Sequence, residues 1–432
     1  MTAVPNSCPL RDAVDEAERL YVTRNPVSAQ EMEKAARHLP GGNTRSSLFH
    51  RPFPLRMASG RDCRLTDVDG HDYVDLLGEF TAGLAGHSCQ AQIDAIVAAL
   101  RNGLNLSAHN VLESRLAEEL CRRFPSMAMV RFTNSGTEAN LMAIAAAKAF
   151  TGRDRVVVFE NAYHGGLLSF SPGGIEVAAP HDYLILPYND IEAARAAFAE
   201  HAGSIAVVLV EPMLGAGGCT PAEPDFLAVL RRLTEDAGAI LAFDEVQTSR
   251  LSVGGRQRIL GIAPDLTTIG KYFGGGLAFG AFGGRGDLMA LFDPRHPGAL
   301  MHAGTFNNNT LTMAAGLAVL DAVITAETLE RINALGDGLR DGLNALFARH
   351  AAPFEATGLG SIMNIHPVPR RTPEAELLRK LLFLDLLESG YFIAARGLIA
   401  LSLPVGQAEV DGFLAAVGLF LTRRQRIFPA AD

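Results

Sequence analysis

Residues 129–147 read MVRFTNSGTEANLMAIAAA: an apolar run, a polar turn, then an alanine-rich stretch. The run Met129–Thr133 predicts a strand, and Ser135 with Glu138 has the S-x-x-E spacing of a capping box that opens a helix. A short strand feeding a capped helix is the building unit of a parallel sheet covered by helices. The alternation continues from about residue 90 to 310, with Val156–Phe159, Ile205–Val210, Ala239–Phe243 and Leu277–Phe282 as further candidate strands. The expected fold class is therefore α/β with a mostly parallel sheet. Ligands of such sheets sit beyond the carboxyl ends of the strands, so the residues after each strand are the ones to read for function.

Outward from this core the pattern changes. Met1 to His38 reads as amphipathic helix broken near Asn25-Pro26 and stopped by Pro40-Gly41-Gly42-Asn43, after which a loop is expected. Leu65 to Leu76 alternates around Asp69-Gly70, predicting two short antiparallel strands. Beyond a helix over about Leu311–Val323, strands near Phe354–His366 and Ile393–Leu403 and a helix near Ala408–Phe420 suggest a smaller α+β domain. The division expected is an N-terminal segment, 1–85, contributing to the small domain, a large domain, 86–325, and a C-terminal small domain, 326–432.

The 432 residues, 48% hydrophobic, are enough to bury a large core, and the formal charge of -9 offers no basic footprint for nucleic acid or an anionic membrane. No nucleic-acid or membrane partner is expected. Cys8, Cys63, Cys89, Cys121 and Cys219 are odd in number and scattered, which fits a reducing cytoplasm better than a disulfide framework. The first twenty residues lack the form of a secretory signal, and no run approaches a membrane span.

Four strand ends and one loop carry the chemistry. At Ser135-Gly136-Thr137 a helix N-terminus with hydroxyls and a glycine suits a phosphate; an ordinary cap is the alternative. Asn161-Ala162-Tyr163-His164 sets an aromatic ring where it can stack on a planar heterocycle, or simply pack in a loop. Asp244-Glu245-Val246-Gln247 ends a strand with a carboxylate that needs a cationic partner, such as the protonated pyridine nitrogen of pyridoxal phosphate. A metal is the competing use of Asp244 and Glu245, but no second ligand cluster or H-E-x-x-H accompanies them, so none is expected. Leu266-Thr267-Thr268-Ile269-Gly270-Lys271 runs an apolar strand into a lysine whose desolvation would produce the neutral amine a Schiff base requires. In isolation Lys271 reads as a solvated surface residue. The loop His302–Asn309 is polar and permissive, and alone says little.

Taken together, these stretches resemble the class III (ω-type) aminotransferases of the fold type I pyridoxal phosphate superfamily. The resemblance runs from about Pro40 to Pro404, keeps the order and spacing of all the motifs, and includes Asp67-Val68-Asp69-Gly70-His71 and the Gly86-His87 turn. It implies that Lys271 carries the cofactor, Asp244 pairs with the pyridinium nitrogen, Tyr163 stacks on the ring, and Ser135, Gly136 and Thr137 hold the phosphate. Gln247, or the backbone near Val246, would lie by the phenolic oxygen. Thr305 would reach the phosphate of a neighbouring subunit, implying a homodimer.

Thr248-Ser249-Arg250 departs from the family's usual Thr-Gly-Phe-Gly-Arg, and Asn307-Asn308-Asn309 stands where Gly-Asn-Pro is frequent. With Asn43-Thr44-Arg45-Ser46 and Ala395-Arg396-Gly397, these differences draw the chain toward the branch of glutamate-1-semialdehyde aminomutases and β-phenylalanine aminotransferases, and nearer to the β-phenylalanine enzymes. The implied reaction is a ping-pong transfer from an aromatic β-amino acid to a keto acid such as 2-oxoglutarate. Arg45 would clamp the donor's carboxylate and Arg396 the acceptor's, since a guanidinium binds carboxylate bidentately; a surface ion pair is the alternative for each. Phe49, Phe53 and Phe80 are candidates for an aryl pocket or for core. The rivals are an aminomutase and an inactive cofactor-binding regulatory protein, and retention of both Lys271 and Asp244 argues against the regulatory protein.

Overall fold

The structure, a computed structural model, describes residues 9–104 and 106–428. Its described residues form two compact units, residues 9–88 with 332–428, and the described part of 89–331. The expected helix start at Met1 and the cysteine at position 8 lie outside the described residues; Cys63, Cys89, Cys121 and Cys219 are free thiols.

The Cys89–Arg331 unit is built on a seven-stranded sheet. Its order is Met129–Thr133, Gly280–Gly284, Leu266–Gly270, Ile240–Asp244, Ile205–Val210, Arg155–Phe159, Asp182–Leu186. All neighbouring pairs are parallel except those made by Gly280–Gly284, which runs antiparallel to both of its neighbours. The strands Ile205–Val210, Ile240–Asp244 and Leu266–Gly270 are buried along their whole length, which is why the first reads as a continuous apolar run and the second as one up to Asp244. Ala139, Ala143, Ile144, Ala146 and Ala147 of the Gly136–Thr151 helix are wholly buried in the same core. Small side chains let this helix lie close on the sheet.

Two expectations shift here. The strand placed at Leu277–Phe282 lies at Gly280–Gly284, because the backbone there is pressed against its neighbours: a Cβ on Gly280 would stand 2.0 Å from the Ser135 carbonyl oxygen and one on Gly284 2.1 Å from that of Asp265. Only glycine fits, and glycine carries no strand signal. The partly exposed edge strand Asp182–Leu186 is a further element, marked in the sequence by the apolar run Tyr183-Leu184-Ile185-Leu186.

In the other unit, helices Pro9–Arg24 and Pro26–Ala36 flank the expected break at Asn25. The Asp69-Gly70 hairpin joins Arg64–Asp67 to Asp72–Asp75 and extends into a four-stranded sheet, with Met57–Arg61, in place of the expected loop, on one side and Tyr391–Phe392 on the other. A second sheet pairs Phe354–Leu359, Ile362–Pro367 and Leu398–Ala400. The core gathers Tyr73, Leu76, Leu339, Leu343, Phe383, Ile399 and Phe413. The helices Ala326–Arg349 and Pro373–Glu388 add to the elements expected from sequence.

Candidate active site

Strand register brings the motifs of the larger unit to one edge. Asp244 lies level with Thr268, Gly270 with Gly280, and Gly280 with Thr133, so the ends that carry Asp244, Lys271 and Ser135 converge. A Cβ on Gly270 would stand 3.6 Å from the Gly136 nitrogen, which puts the lysine-bearing strand against the start of the Gly136–Thr151 helix.

At that helix start Ser135 is the N-cap, its Oγ accepting from the Glu138 N–H at 3.1 Å. The expected capping box is modified: the Glu138 carboxylate accepts from the N–H of Asn134 at 2.9 Å rather than from that of Ser135. The N–H groups of Gly136 and Thr137 stand in the first turn, where a helix supplies no acceptor of its own. Thr137 Oγ1 accepts from the Gly166 N–H at 3.1 Å, and a Cβ on Gly165 would fall 2.1 Å from that hydroxyl. The Tyr163–Gly166 turn therefore closes over the helix start because residue 165 has no side chain.

Asp244 is 4% exposed and held on both oxygens. Oδ1 accepts from the Val246 N–H at 2.9 Å; Oδ2 accepts from Asn140 Nδ2 at 2.8 Å and is 2.8 Å from His164 Nδ1. Asn140 is itself oriented by the Thr268 hydroxyl, which donates to its Oδ1 at 2.7 Å. A buried carboxylate is thus fixed by a backbone N–H, an amide and an imidazole, and burying such a charge costs free energy unless a cation completes it. Behind it Glu211 accepts from the N–H groups of Tyr163 at 2.9 Å and Gly215 at 3.0 Å, and burial raises its carboxyl well above the ordinary range. Asn140, Thr268 and Glu211 escape the sequence reading. Glu211 follows the Ile205–Val210 strand as Asp244 ends its own, and the same strand-end rule could have found it; Asn140 is visible as a lone amide on an alanine face.

Lys271 has φ 63°, the left-handed region, and opens the short turn Lys271–Gly274. A lysine held there loses the freedom of an ordinary strand end, and such outliers cluster where function demands a fixed geometry. Tyr163 is 41% exposed, leaving a ring face open. Gln247 sits where a Cβ on Gly215 would lie 2.3 Å from its amide nitrogen. Buried Gln247 Oε1 and His164 Nε2 have no hydrogen-bond partner among the described residues. Thr305 lies in an exposed turn whose Asn307 Oδ1 accepts from Asn134 Nδ2 at 3.0 Å, tying that loop beside the Ser135 cap.

These residues fit pyridoxal phosphate: helix N–H groups for the phosphate, a buried carboxylate for the ring nitrogen, a lysine at the adjoining strand end, and the Gln247 amide for a ring substituent. The family model for class III aminotransferases matches residues 49–403. The chain is a class III aminotransferase. It is 49% identical to a β-phenylalanine transaminase of Variovorax paradoxus over 97% of this chain and 98% of the relative. A crystal structure of a β-phenylalanine aminotransferase from that organism superposes with a TM-score of 0.95 at 48% identity, covering 98% of this chain and 100% of the other. A glutamate-1-semialdehyde 2,1-aminomutase of Sorangium cellulosum is 39% identical over 79% of this chain and 82% of the relative. A solved transaminase with pyridoxal phosphate bound matches at TM-score 0.86 and 32% identity over 93% of this chain and 98% of that one. The fold is that of the fold type I transaminases, the enzyme is a transaminase and its cofactor is pyridoxal phosphate.

In the other unit, the two arginines singled out in the sequence share one ring: the guanidinium of Arg45 lies 5.2 Å, and that of Arg396 5.5 Å, from the centre of Phe80. Arg45 also forms an ion pair with Glu79. Phe80 borders a cavity of about 600 Å³ with Leu48, His50, Leu55, Phe383 and Phe392. Of the other candidate pocket residues, Phe53 is core, packed on Tyr21, and Phe49 is exposed.

Proposed function

We propose that this aminotransferase moves the amino group of an aromatic β-amino acid to a keto acid such as 2-oxoglutarate in two half-reactions. What carries the proposal is the pair of guanidiniums on the Phe80 ring beside a cavity of mixed lining, supported by a 49% identical relative that bears the β-phenylalanine name. When bound, pyridoxal phosphate supplies an aldehyde carbon for amines and a ring that accepts electrons.

The chain does the rest. Ser135, Gly136 and Thr137 would hold the phosphate; Asp244, braced by Asn140 and His164, would keep the ring nitrogen protonated; Tyr163 would stack on the ring and Gln247 would meet the phenolic oxygen. Lys271 would hold the cofactor's aldehyde, and its Nζ would take the proton from the substrate carbon that bears nitrogen. Arg45 binds the donor's carboxylate and Arg396 the acceptor's, each bidentately. The protein works as a homodimer in the cytoplasm, with Thr305 completing the neighbouring subunit's phosphate site.

Purified holoenzyme given β-phenylalanine and 2-oxoglutarate is expected to form glutamate; no glutamate sinks the assignment. Conversion of glutamate 1-semialdehyde to 5-aminolevulinate without a separate acceptor would replace it with the aminomutase reading.

A further inference from the structure

Glu79 has no part in the sequence reading, yet it is the residue most firmly placed beside Arg45. Gly78, Glu79, Phe80 and Thr81 have φ of 51°, 48°, 52° and 78°, one turn of left-handed backbone closed by the Gly83 N–H donating to the Gly78 carbonyl at 2.9 Å. Three of these are not glycine, and for each the conformation costs roughly 1–2 kcal/mol. The turn persists because its base is pinned. The buried Asp75 carboxylate accepts from the N–H groups of Leu77 at 2.8 Å and Gly78 at 3.1 Å, and His87 Nε2 lies 2.8 Å from its other oxygen. Gly78 is also pressed against the Ala400 carbonyl, 2.6 Å from where a Cβ would stand. A strained turn held this firmly delivers two side chains to fixed points: the Phe80 ring under both guanidiniums, and the Glu79 carboxylate onto Arg45.

We infer that Glu79 is an internal stand-in for the substrate's carboxylate: it holds Arg45 while no substrate is bound and is exchanged for the incoming carboxylate. The inference rests on Arg45 being the donor's carboxylate site. Both partners are about half exposed, at 43% and 55% of their side chains, so solvent and a competing anion reach the pair. Arg45, Glu79 and Arg396 together carry one net positive charge, which suits one carboxylate at a time. Displacing Glu79 weakens every ligand that uses Arg45, and only those. Glu79 is in this sense a specificity residue that never touches the reacting atoms.

The test uses holoenzyme and inhibition by 3-phenylpropionate, which is β-phenylalanine without its amine, and by the uncharged 3-phenylpropionamide. Glu79→Gln keeps the size and removes the charge. It is expected to tighten 3-phenylpropionate and lower the KM of β-phenylalanine by roughly two- to five-fold, the range of an exposed ion pair, while leaving the amide unchanged. In the double variant Arg45→Ala/Glu79→Gln that gain must vanish. If Arg45→Ala alone leaves 3-phenylpropionate binding intact, the reading of Arg45 falls and the exchange with it. If Arg45→Ala weakens the anion but Glu79→Gln does not tighten it, or tightens acid and amide alike, only the role of Glu79 is overturned.

Discussion

At the scale of single residues, the proposed chemistry rests on Lys271 and on how Asp244 is held. Lys271→Met is expected to abolish glutamate formation from β-phenylalanine, since methionine can neither release the cofactor to the substrate nor move the proton. Asp244→Asn keeps the packing but removes the negative charge, and kcat should fall by roughly 10²–10⁴-fold, read in single-turnover kinetics. Asn140→Leu takes away one donor to Asp244 and the acceptor of Thr268. It should lower kcat by less than Asp244→Asn while leaving donor KM nearly unchanged. His50 carries a pH prediction. Burial against Tyr21 and Phe383 depresses its imidazole to about 4. The unfolded chain, with the ordinary value near 6.5, therefore binds a proton that the folded chain refuses between those limits. Stability from this site is full above about pH 6.5 and is lost as pH falls through 4, by roughly 1–3 kcal/mol. His50→Phe should flatten that part of the Tm-against-pH curve, and an unchanged slope would remove His50 as its cause.

At the scale of elements, the proposed phosphate cup is a joint between one helix start and one turn. Gly165 has φ 122°, and its missing side chain leaves room for the Thr137 hydroxyl. Gly165→Ala must push the two apart, so cofactor affinity should drop by at least about tenfold, measured by equilibrium dialysis of pyridoxal phosphate, with a smaller loss in Tm. Much of this joint is legible in the sequence. The strand Ile205–Val210 appears within its expected bounds because a buried parallel strand writes itself as an unbroken apolar run, and Met129–Thr133, an antiparallel edge strand, is found through the cap that follows it. Ser135 announces its helix by capping chemistry, which is local. The glycine strand Gly280–Gly284 is displaced from its expected place because close backbone approach leaves no mark in composition. The Ala326–Arg349 helix differs: Leu329, Ile332, Leu339, Leu343 and Phe347, all buried, follow a helical period, so there the signal exists in the sequence.

At the scale of the molecule, the Gln90–Arg101 helix buries none of its residues while exposing Ile93, Val97 and Leu100. Leu104, Leu106, Val111, Met301 and Phe306 of the same unit are exposed too, Met301 to 88%. So much apolar surface supports a subunit interface. Val97→Glu, a charge placed on that helix, should shift the protein toward monomer in sedimentation and lower cofactor retention together, because the proposed contribution of Thr305 to a neighbouring subunit would be lost. A monomer that keeps its cofactor would disprove the shared site. What the sequence by itself determined is what travels locally along the chain: the strand–helix alternation, the cap at Ser135, the lysine and aspartate at strand ends, the family. Those signals need only neighbours a few residues away. The tertiary structure alone decided which groups hold Asp244 and which carboxylate pairs with Arg45. Asn140 and Thr268 meet across 128 residues and Arg45 and Glu79 across 34, and no local pattern encodes such meetings. They exist because sheet register and a pinned left-handed turn bring the side chains to the same place.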